Sequence, residues 1–220
     1  MKNKKHTSTV SRADKISPFY VMELLEKAKE LERKGKHIIH MEVGEPDFGT
    51  PSAINESAID AIRNNKTFYT HSLGIQELRE TIAQQYYKID GVHISNERVI
   101  ITNGTSGAFL LLCAVLLDNR RVLAVSDPGY PCYKNFALIV CSKIVPIPVD
   151  EKSSFEVTVE HFDVLKRPPD ILLISTPANP TGNIYREETM KGLHSYISSK
   201  GKVLIVDELY NGLYYKERPR

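Results

Sequence analysis

Four short polar segments each follow a run of apolar residues and carry groups able to bind or react. The first, Asn103-Gly104-Thr105-Ser106-Gly107-Ala108, is small and hydroxyl-bearing and leads straight into a helical pattern. Backbone N–H groups at a helix start, joined by two hydroxyls, make a phosphate cradle, and a plainly capped helix start has the same composition. In the second, Asp127-Pro128-Gly129-Tyr130-Pro131, two prolines and a glycine fix the loop. Tyr130 is then either a platform for a planar ligand or a turn residue packed on a neighbouring loop. The third, Thr176-Pro177-Ala178-Asn179-Pro180-Thr181-Gly182, puts Asn, Pro and Gly at the first, second and fourth places of a type I turn. Pro180 favours an extended Asn179, whose amide is a hydrogen-bond donor. The fourth is Asp207-Glu208, delivered by Val203-Leu204-Ile205-Val206. An acid ending a wholly apolar strand lies near low dielectric and wants a cationic partner, unless it caps a helix. The sequence holds no Gly-Lys-Ser/Thr and no G-x-G-x-x-G, so neither a P-loop with its partner aspartate nor a dinucleotide fingerprint is present.

The elements between these segments decide where they meet. Ser17-Pro18 and Thr50-Pro51 are cap-then-proline helix starts. The first helix carries Val21, Leu24, Leu25, Ala28 and Leu31 on one face and ends at Gly35; the second runs to about Arg63. A strand is expected over His37 to Val43, and a third helix after Gly74 with Leu78, Ile82 and Ala83 inward. From residue 98 the pattern alternates strictly. Strands are expected at Arg98–Thr102, Val122–Ser126, Lys143–Pro148, Ile171–Ser175 and Lys202–Val206. Helices are expected at Ser106–Leu117, Tyr133–Val140, Val159–Leu165 and Glu187–Ser199. Apolar strands separated by helices of this length predict an α/β fold, a mostly parallel sheet with helices on both faces, plus an N-terminal helical segment. In such sheets ligands bind outside the carboxyl ends of the strands, where all four polar segments fall.

Composition narrows the partners. The 220 residues carry 29 Lys plus Arg against 27 Asp plus Glu, a formal charge of +2, with no clustered basic stripe. No nucleic-acid face is expected. The longest apolar run, Ala108 to Leu117, is too short to span a bilayer, so no membrane partner is expected either. Residues 1–14 read as a mobile solvated arm rather than a signal peptide, since no apolar stretch follows Lys2, Lys4, Lys5 and Arg12. Cys113, Cys132 and Cys141 lack metal-ligand spacing; reduced thiols in a cytoplasmic protein account for them, and no metal is expected.

A phosphate cradle, an aromatic platform, an amide donor and a carboxylate on one sheet edge suit a flat, phosphorylated, cationic heteroaromatic ring, a description that pyridoxal phosphate meets. The chain resembles the class I/II aminotransferases of the fold-type-I pyridoxal-phosphate family. The matching segments are Gly44-Glu45-Pro46-Asp47-Phe48, Tyr69 with Gly74, Asn103 to Ala108, Asp127 to Tyr133, Asn179-Pro180-Thr181-Gly182 and Val206-Asp207-Glu208-Leu209-Tyr210, in family order from about residue 17 onward. The resemblance implies that Gly104, Thr105 and Ser106 hold the phosphate and that Tyr130 stacks on the pyridine ring. Asn179 and Tyr210 would bond the ring's phenolic oxygen, and Asp207 would pair with the ring nitrogen. It also implies that Gly44 approaches the substrate carboxylate and that Tyr69 reaches a neighbouring subunit's cofactor in a homodimer. The implied reaction moves an amino group from an amino acid to a 2-oxo acid.

One departure from the family pattern is expected to matter. The family holds its cofactor through a Schiff-base lysine on a later strand, and no segment here matches it. Ser199-Lys200 looks similar but precedes the last strand, roughly 20 Å from Asp207 along it. Lys216 lies beyond Asp207, and nothing around it matches the family pattern. The resemblance therefore implies an N-terminal segment at residues 15–45 that belongs with the family's small domain. Residues 46–220 would form a large domain truncated before the catalytic lysine, inactive alone, with the strand at 98–102 deprived of its in-sheet neighbours. Two alternatives stay open: a non-catalytic module docking to a full-length relative around Tyr69, or another fold-type-I activity such as a carbon–sulfur lyase.

Overall fold

In the computed structural model of this chain, which describes residues 16–140, 142–165 and 168–215, four apolar runs become strands. They are β1 (Val122–Asp127), β2 (Lys143–Pro148), β3 (Ile171–Ser175) and β4 (Val203–Asp207), in the order β2-β1-β3-β4, every pair parallel. Successive side chains of a strand point to opposite faces, so each strand feeds two cores. On one side Leu123, Val125, Ile171 and Leu173 pack with Phe109, Cys113, Tyr133 and Ala137. Those four come from helices α4 (Gly104–Leu116) and α5 (Cys132–Ile139). On the other side Ala124, Ile147, Leu172 and Ile174 pack with Leu193 and Ile197 of helix α6 (Glu187–Ser199). Each fully buried aliphatic side chain contributes about 1.5–3 kcal/mol, so strand-borne residues hold both helical layers. The expected α/β architecture, a parallel sheet covered on both faces, is what the chain adopts. The expected helix at Val159–Leu165 is only a 3-10 turn, Val159–Phe162.

The two sheet edges differ. β2 carries Lys143, Pro146 and Pro148, whereas β4 presents Val203, Leu204, Ile205 and Val206 half-buried and, among the described residues, pairs with β3 alone.

The described residues divide into two compact units: one is Tyr20–Asn103, and the other, which contains the sheet, starts again at Gly104 and also takes in the residues just before Tyr20. The first holds α1 (Tyr20–Arg33), α2 (Ser52–Arg63) and α3 (Gln76–Asp90). Helix α1 starts two residues after the Pro18 signal; Ala28 is buried on it, but Leu24, expected inward, is exposed. On α3 Ile82 and Ala83 are half-buried, as expected, but the buried residue is Arg79, and Leu78 is 41% exposed. Arg79 donates from Nε to the Val99 carbonyl at 2.9 Å and from Nη2 to that of Asn96 at 2.8 Å.

Those bonds occupy backbone carbonyls that a strand would share with a neighbour. The strand expected at Arg98–Thr102 does not form. A 3-10 turn spans Asn96–Arg98, and the residues after it lie outside the sheet. Two of their backbone groups are met locally: the Val99 carbonyl accepts from Arg79, and the Ile101 N–H donates to the Leu73 carbonyl at 3.0 Å. Gly74, at φ +100°, permits this approach, since a Cβ there would sit 2.4 Å from Ile101 Cγ1. The strand expected over His37–Val43 is also absent. Side-chain ties replace a ladder: His40 bridges Glu32 at 2.9 Å and Glu42 at 2.6 Å. The expected arm, residues 1–14, lies outside the described residues, as does Cys141; Cys113 and Cys132 are free thiols. Among the described residues no helix is long and apolar enough to cross a membrane.

Candidate functional site

The site is built around the end of β4. Asp207 pairs in register with Ser175, the last residue of β3, so the sheet carries its carboxyl to the strand-end edge. It is 7% exposed. Its Oδ1 accepts from the backbone N–H of Leu209 at 3.0 Å, and its Oδ2 accepts from the Tyr133 hydroxyl at 2.5 Å. Among the described residues no cationic side chain pairs with it. A buried carboxylate whose protein donors are neutral retains a full charge to be matched.

Aromatic residues surround this acid. Tyr133, in the first turn of α5, is buried; its ring meets Phe109 edge-on at 5.1 Å and Tyr130 edge-on at 5.3 Å. Burial first, then the hydrogen bond to Asp207 and its charge, pushes the Tyr133 phenol well above the ordinary tyrosine value. The half-buried Tyr130 is raised too, by burial, by Cys132, and by the charges of Tyr210 and Asp207. Gly129 holds the Tyr130 loop close to its strand, because any Cβ there would lie 2.5 Å from the Ser126 carbonyl oxygen.

Asn179 comes from the loop after β3, and its Nδ2 donates to the Tyr210 hydroxyl at 3.4 Å. The loop is not the type I turn expected at Asn179. Gly182 N reaches back to the Ala178 carbonyl at 2.8 Å and Ala178 N donates to the Asn183 carbonyl at 2.9 Å, so the turn starts one residue earlier. The Asp127–Pro128, Thr176–Pro177 and Asn179–Pro180 peptides are cis. Props from residues 155–157 hold the loop: Asn183 Nδ2 donates to the Phe155 carbonyl at 3.3 Å, and Val157 N to the Tyr185 hydroxyl at 2.9 Å. Tyr185, pushed up to about 12 by burial, in turn donates its backbone N–H to Thr176 Oγ1 at 3.1 Å.

Helix α4 begins at Gly104, whose φ of +67° is one that glycine adopts freely. Thr105 is half-buried and Ser106 exposed. Phe109, one turn further on, is the α4 residue that packs on Tyr133, which ties the start of this helix to the acid. Tyr130, Asn179, Asp207 and Tyr210 are thus brought together, with Gly104, Thr105 and Ser106 one helical turn from the shared aromatic. Gly44 and Tyr69 belong to the other unit. Nothing lies within 4 Å of a Cβ placed on Gly44, and Tyr69 is fully exposed. Lys200 caps the end of α6 with its Nζ 5.8 Å from the Tyr196 ring centroid, at the end of β4 opposite Asp207. Lys216 lies outside the described residues. Tyr133 received no role from the sequence; the available signal was a second tyrosine three residues after Tyr130, at a helix start.

Comparison with known proteins gives a consistent picture. Residues 36–219 match the family described as aminotransferase class I and II. A valine–pyruvate aminotransferase of Mycobacterium tuberculosis is 32% identical over 214 residues, covering 97% of this chain and 55% of the relative. A (5-formylfuran-3-yl)methyl phosphate transaminase of Methanocaldococcus jannaschii is 38% identical, covering 90% of this chain and 50% of the relative. Among solved structures, an aminotransferase from Mycobacterium tuberculosis superposes with a TM-score of 0.91 at 33% identity, over 96% of this chain and 54% of that one. The aspartate aminotransferase of Thermotoga maritima gives 0.89 at 31% identity, over 96% and 56%. The chain spans about half the length of the curated relatives it matches.

Proposed function

Since the chain belongs to the class I and II aminotransferases, we propose that it carries the pyridoxal-phosphate site of an enzyme moving an amino group from an amino acid to a 2-oxo acid. The single observation that carries this reading is Asp207, a buried carboxylate that among the described residues is bonded to neutral donors alone, beside a half-buried aromatic ring. The donor set fits the cofactor. Gly104, Thr105 and Ser106 would take the phosphate at the start of α4, Tyr130 would lie on the ring, and Asn179 with Tyr210 would bond its phenolic oxygen. Asp207 would match the positive ring nitrogen. When bound, pyridoxal phosphate supplies an electron sink for charge developing at the amino acid's α-carbon. The chain's own part is to keep Asp207 fixed, to hold Asn179 through its propped loop, and to exclude water by packing Tyr130, Tyr133 and Phe109 edge-on. By the family resemblance, Gly44 would approach the substrate carboxylate and Tyr69 would serve a neighbouring subunit in a homodimer. Among the described residues no lysine joins the group, so binding by these residues is non-covalent and they transaminate negligibly alone.

The test is a titration of the purified chain with pyridoxal phosphate, followed by absorbance. Saturable binding is expected, weakened at least about tenfold by Asp207→Asn, the change that ~1.4 kcal/mol makes. Borohydride reduction and peptide mapping should yield no pyridoxyl-lysine from the described residues. Binding that is absent, or indifferent to Asp207→Asn, refutes the reading.

A further inference from the structure

We propose that Tyr133 is a positioning residue for the cofactor site: its hydroxyl fixes the Asp207 carboxylate in the orientation that meets a ring nitrogen, and its ring spaces the surrounding contacts. This rests on the reading of Asp207 given above and adds to it a residue that touches neither cofactor nor substrate.

The geometry is specific. Tyr133 Oη lies 2.5 Å from Asp207 Oδ2, in the short range of an O–H donor on a charged oxygen. The Leu209 N–H holds the other oxygen at 3.0 Å. One donor on each oxygen removes the carboxylate's freedom to rotate and leaves part of its acceptor capacity for a third donor. Tyr133 cannot follow a moving partner, because its ring is 3% exposed and gripped edge-on by Phe109 and Tyr130. Those two rings belong to the other proposed contacts. Phe109 stands one turn into the helix whose start would take the phosphate, and Tyr130 would stack on the ring. Tyr133 therefore touches the supports of three separate contacts. Its hydroxyl remains protonated at neutral pH, since burial and the adjacent negative charge both oppose the phenolate, outweighing a Ser175 hydrogen bond that favours it. It is a fixed donor.

A merely structural tyrosine and a positioning one are separated by Tyr133→Phe, which keeps the ring and removes the donor. The readout is the dissociation constant for pyridoxal phosphate beside that for its 1-deaza analogue, in which carbon replaces the ring nitrogen. The wild-type chain should prefer pyridoxal phosphate. Tyr133→Phe should weaken pyridoxal phosphate about tenfold, as ~1.4 kcal/mol of lost orientation does, and leave the analogue within about twofold. In the Asp207→Asn background the same substitution should change neither ligand. Parallel losses for both ligands, or no loss, overturn the proposal. A wild-type chain that binds both equally removes the Asp207 reading itself, whereas a preference that survives Tyr133→Phe removes only the role of Tyr133. Should that variant not fold, wild-type protein with carbon-13 at tyrosine Cζ serves. The Tyr133 signal should shift on adding pyridoxal phosphate and hold still on adding the analogue; an equal response to both is the contrary result.

Discussion

Glu156→Gln tests how the loop that carries Asn179 is held. Glu156 is 1% exposed and sits beneath the start of α6. Its Oε1 accepts from the Arg186 backbone N–H at 2.8 Å. Its Oε2 accepts from Arg186 Nε at 3.1 Å, Arg186 Nη2 at 3.0 Å and Thr189 Oγ1 at 2.7 Å. A glutamine keeps the shape but brings an NH₂ to one of these positions. Facing Oε1's partner, it sets donor against donor and leaves the Arg186 N–H unmet; facing Oε2's partners, it does so three times over. The milder placement loses one backbone bond and turns three charge-assisted bonds into neutral ones. At about 1 kcal/mol for each such change, reduced because the Arg186 side chain is 56% exposed and water screens it, the loss is about 3 kcal/mol. That corresponds to a fall of about 6–12 °C in Tm. Burial alone would raise the Glu156 carboxyl, but the bonds from Arg186 and Thr189 outweigh it and lower it below 4.5. A lowered folded-state value means that the stabilisation is fully present above pH 4.5 and fades as pH falls through that lowered value. Urea unfolding of both proteins, followed by circular dichroism from pH 7 down to pH 3, should show the gap at neutral pH narrowing in acid. Glu188→Gln, at an exposed pair with Arg186, is the control and should stay within about 0.5 kcal/mol. A gap under about 1 kcal/mol at pH 7, or one that does not shrink in acid, would refute the account.

Two further outcomes follow from named contacts. Gly129→Ala places a methyl 2.5 Å from the Ser126 carbonyl oxygen, which is backbone and cannot rotate away. The variant should lose about 1–3 kcal/mol in a denaturant titration, and an unchanged midpoint would contradict the close approach. Glu42 and then Glu32 hold a proton on His40 and raise its imidazole above 6.5. The charged bridge is intact below that raised value and lost as pH rises through it. Proton NMR should find the His40 midpoint above 6.5 and moved down by Glu42→Gln, and a midpoint at or below 6.5 in the wild-type chain counts against the bridge.

How far the sequence could be read depended on whether an element's partners were local. β1, β3 and β4 were legible because four consecutive apolar residues with flanking turn formers need no knowledge of the neighbour to be recognised as strands of a covered sheet. Helix α2 followed from its Thr50-Pro51 start signal, and α4 and α6 from their places between strands. Arg98–Thr102 has the same alternation, yet a strand exists only with a partner to share its backbone bonds, and here Arg79 and Leu73 take them. His37–Val43 likewise has no strand partner among the described residues. Leu78 was misplaced because Arg79, one position along, buries a guanidinium that finds two carbonyls. At the site, Asp207, Tyr130 and Asn179 could be selected by position at strand ends. Tyr133 could not, since its meaning lies in a bond to a residue 74 positions later.

The unequal rims of the sheet give the molecule a direction of growth. Along β2, two prolines lack the N–H that an incoming chain needs, and a lysine repels close apolar company. Along β4, from Val203 to Val206, neither device is present. An extended chain laid beside this rim would lie about 4.8 Å from the strand that ends in Asp207. A chain added there would stand beside the strand that carries Asp207, so enlarging the sheet would also change the surroundings of the acid.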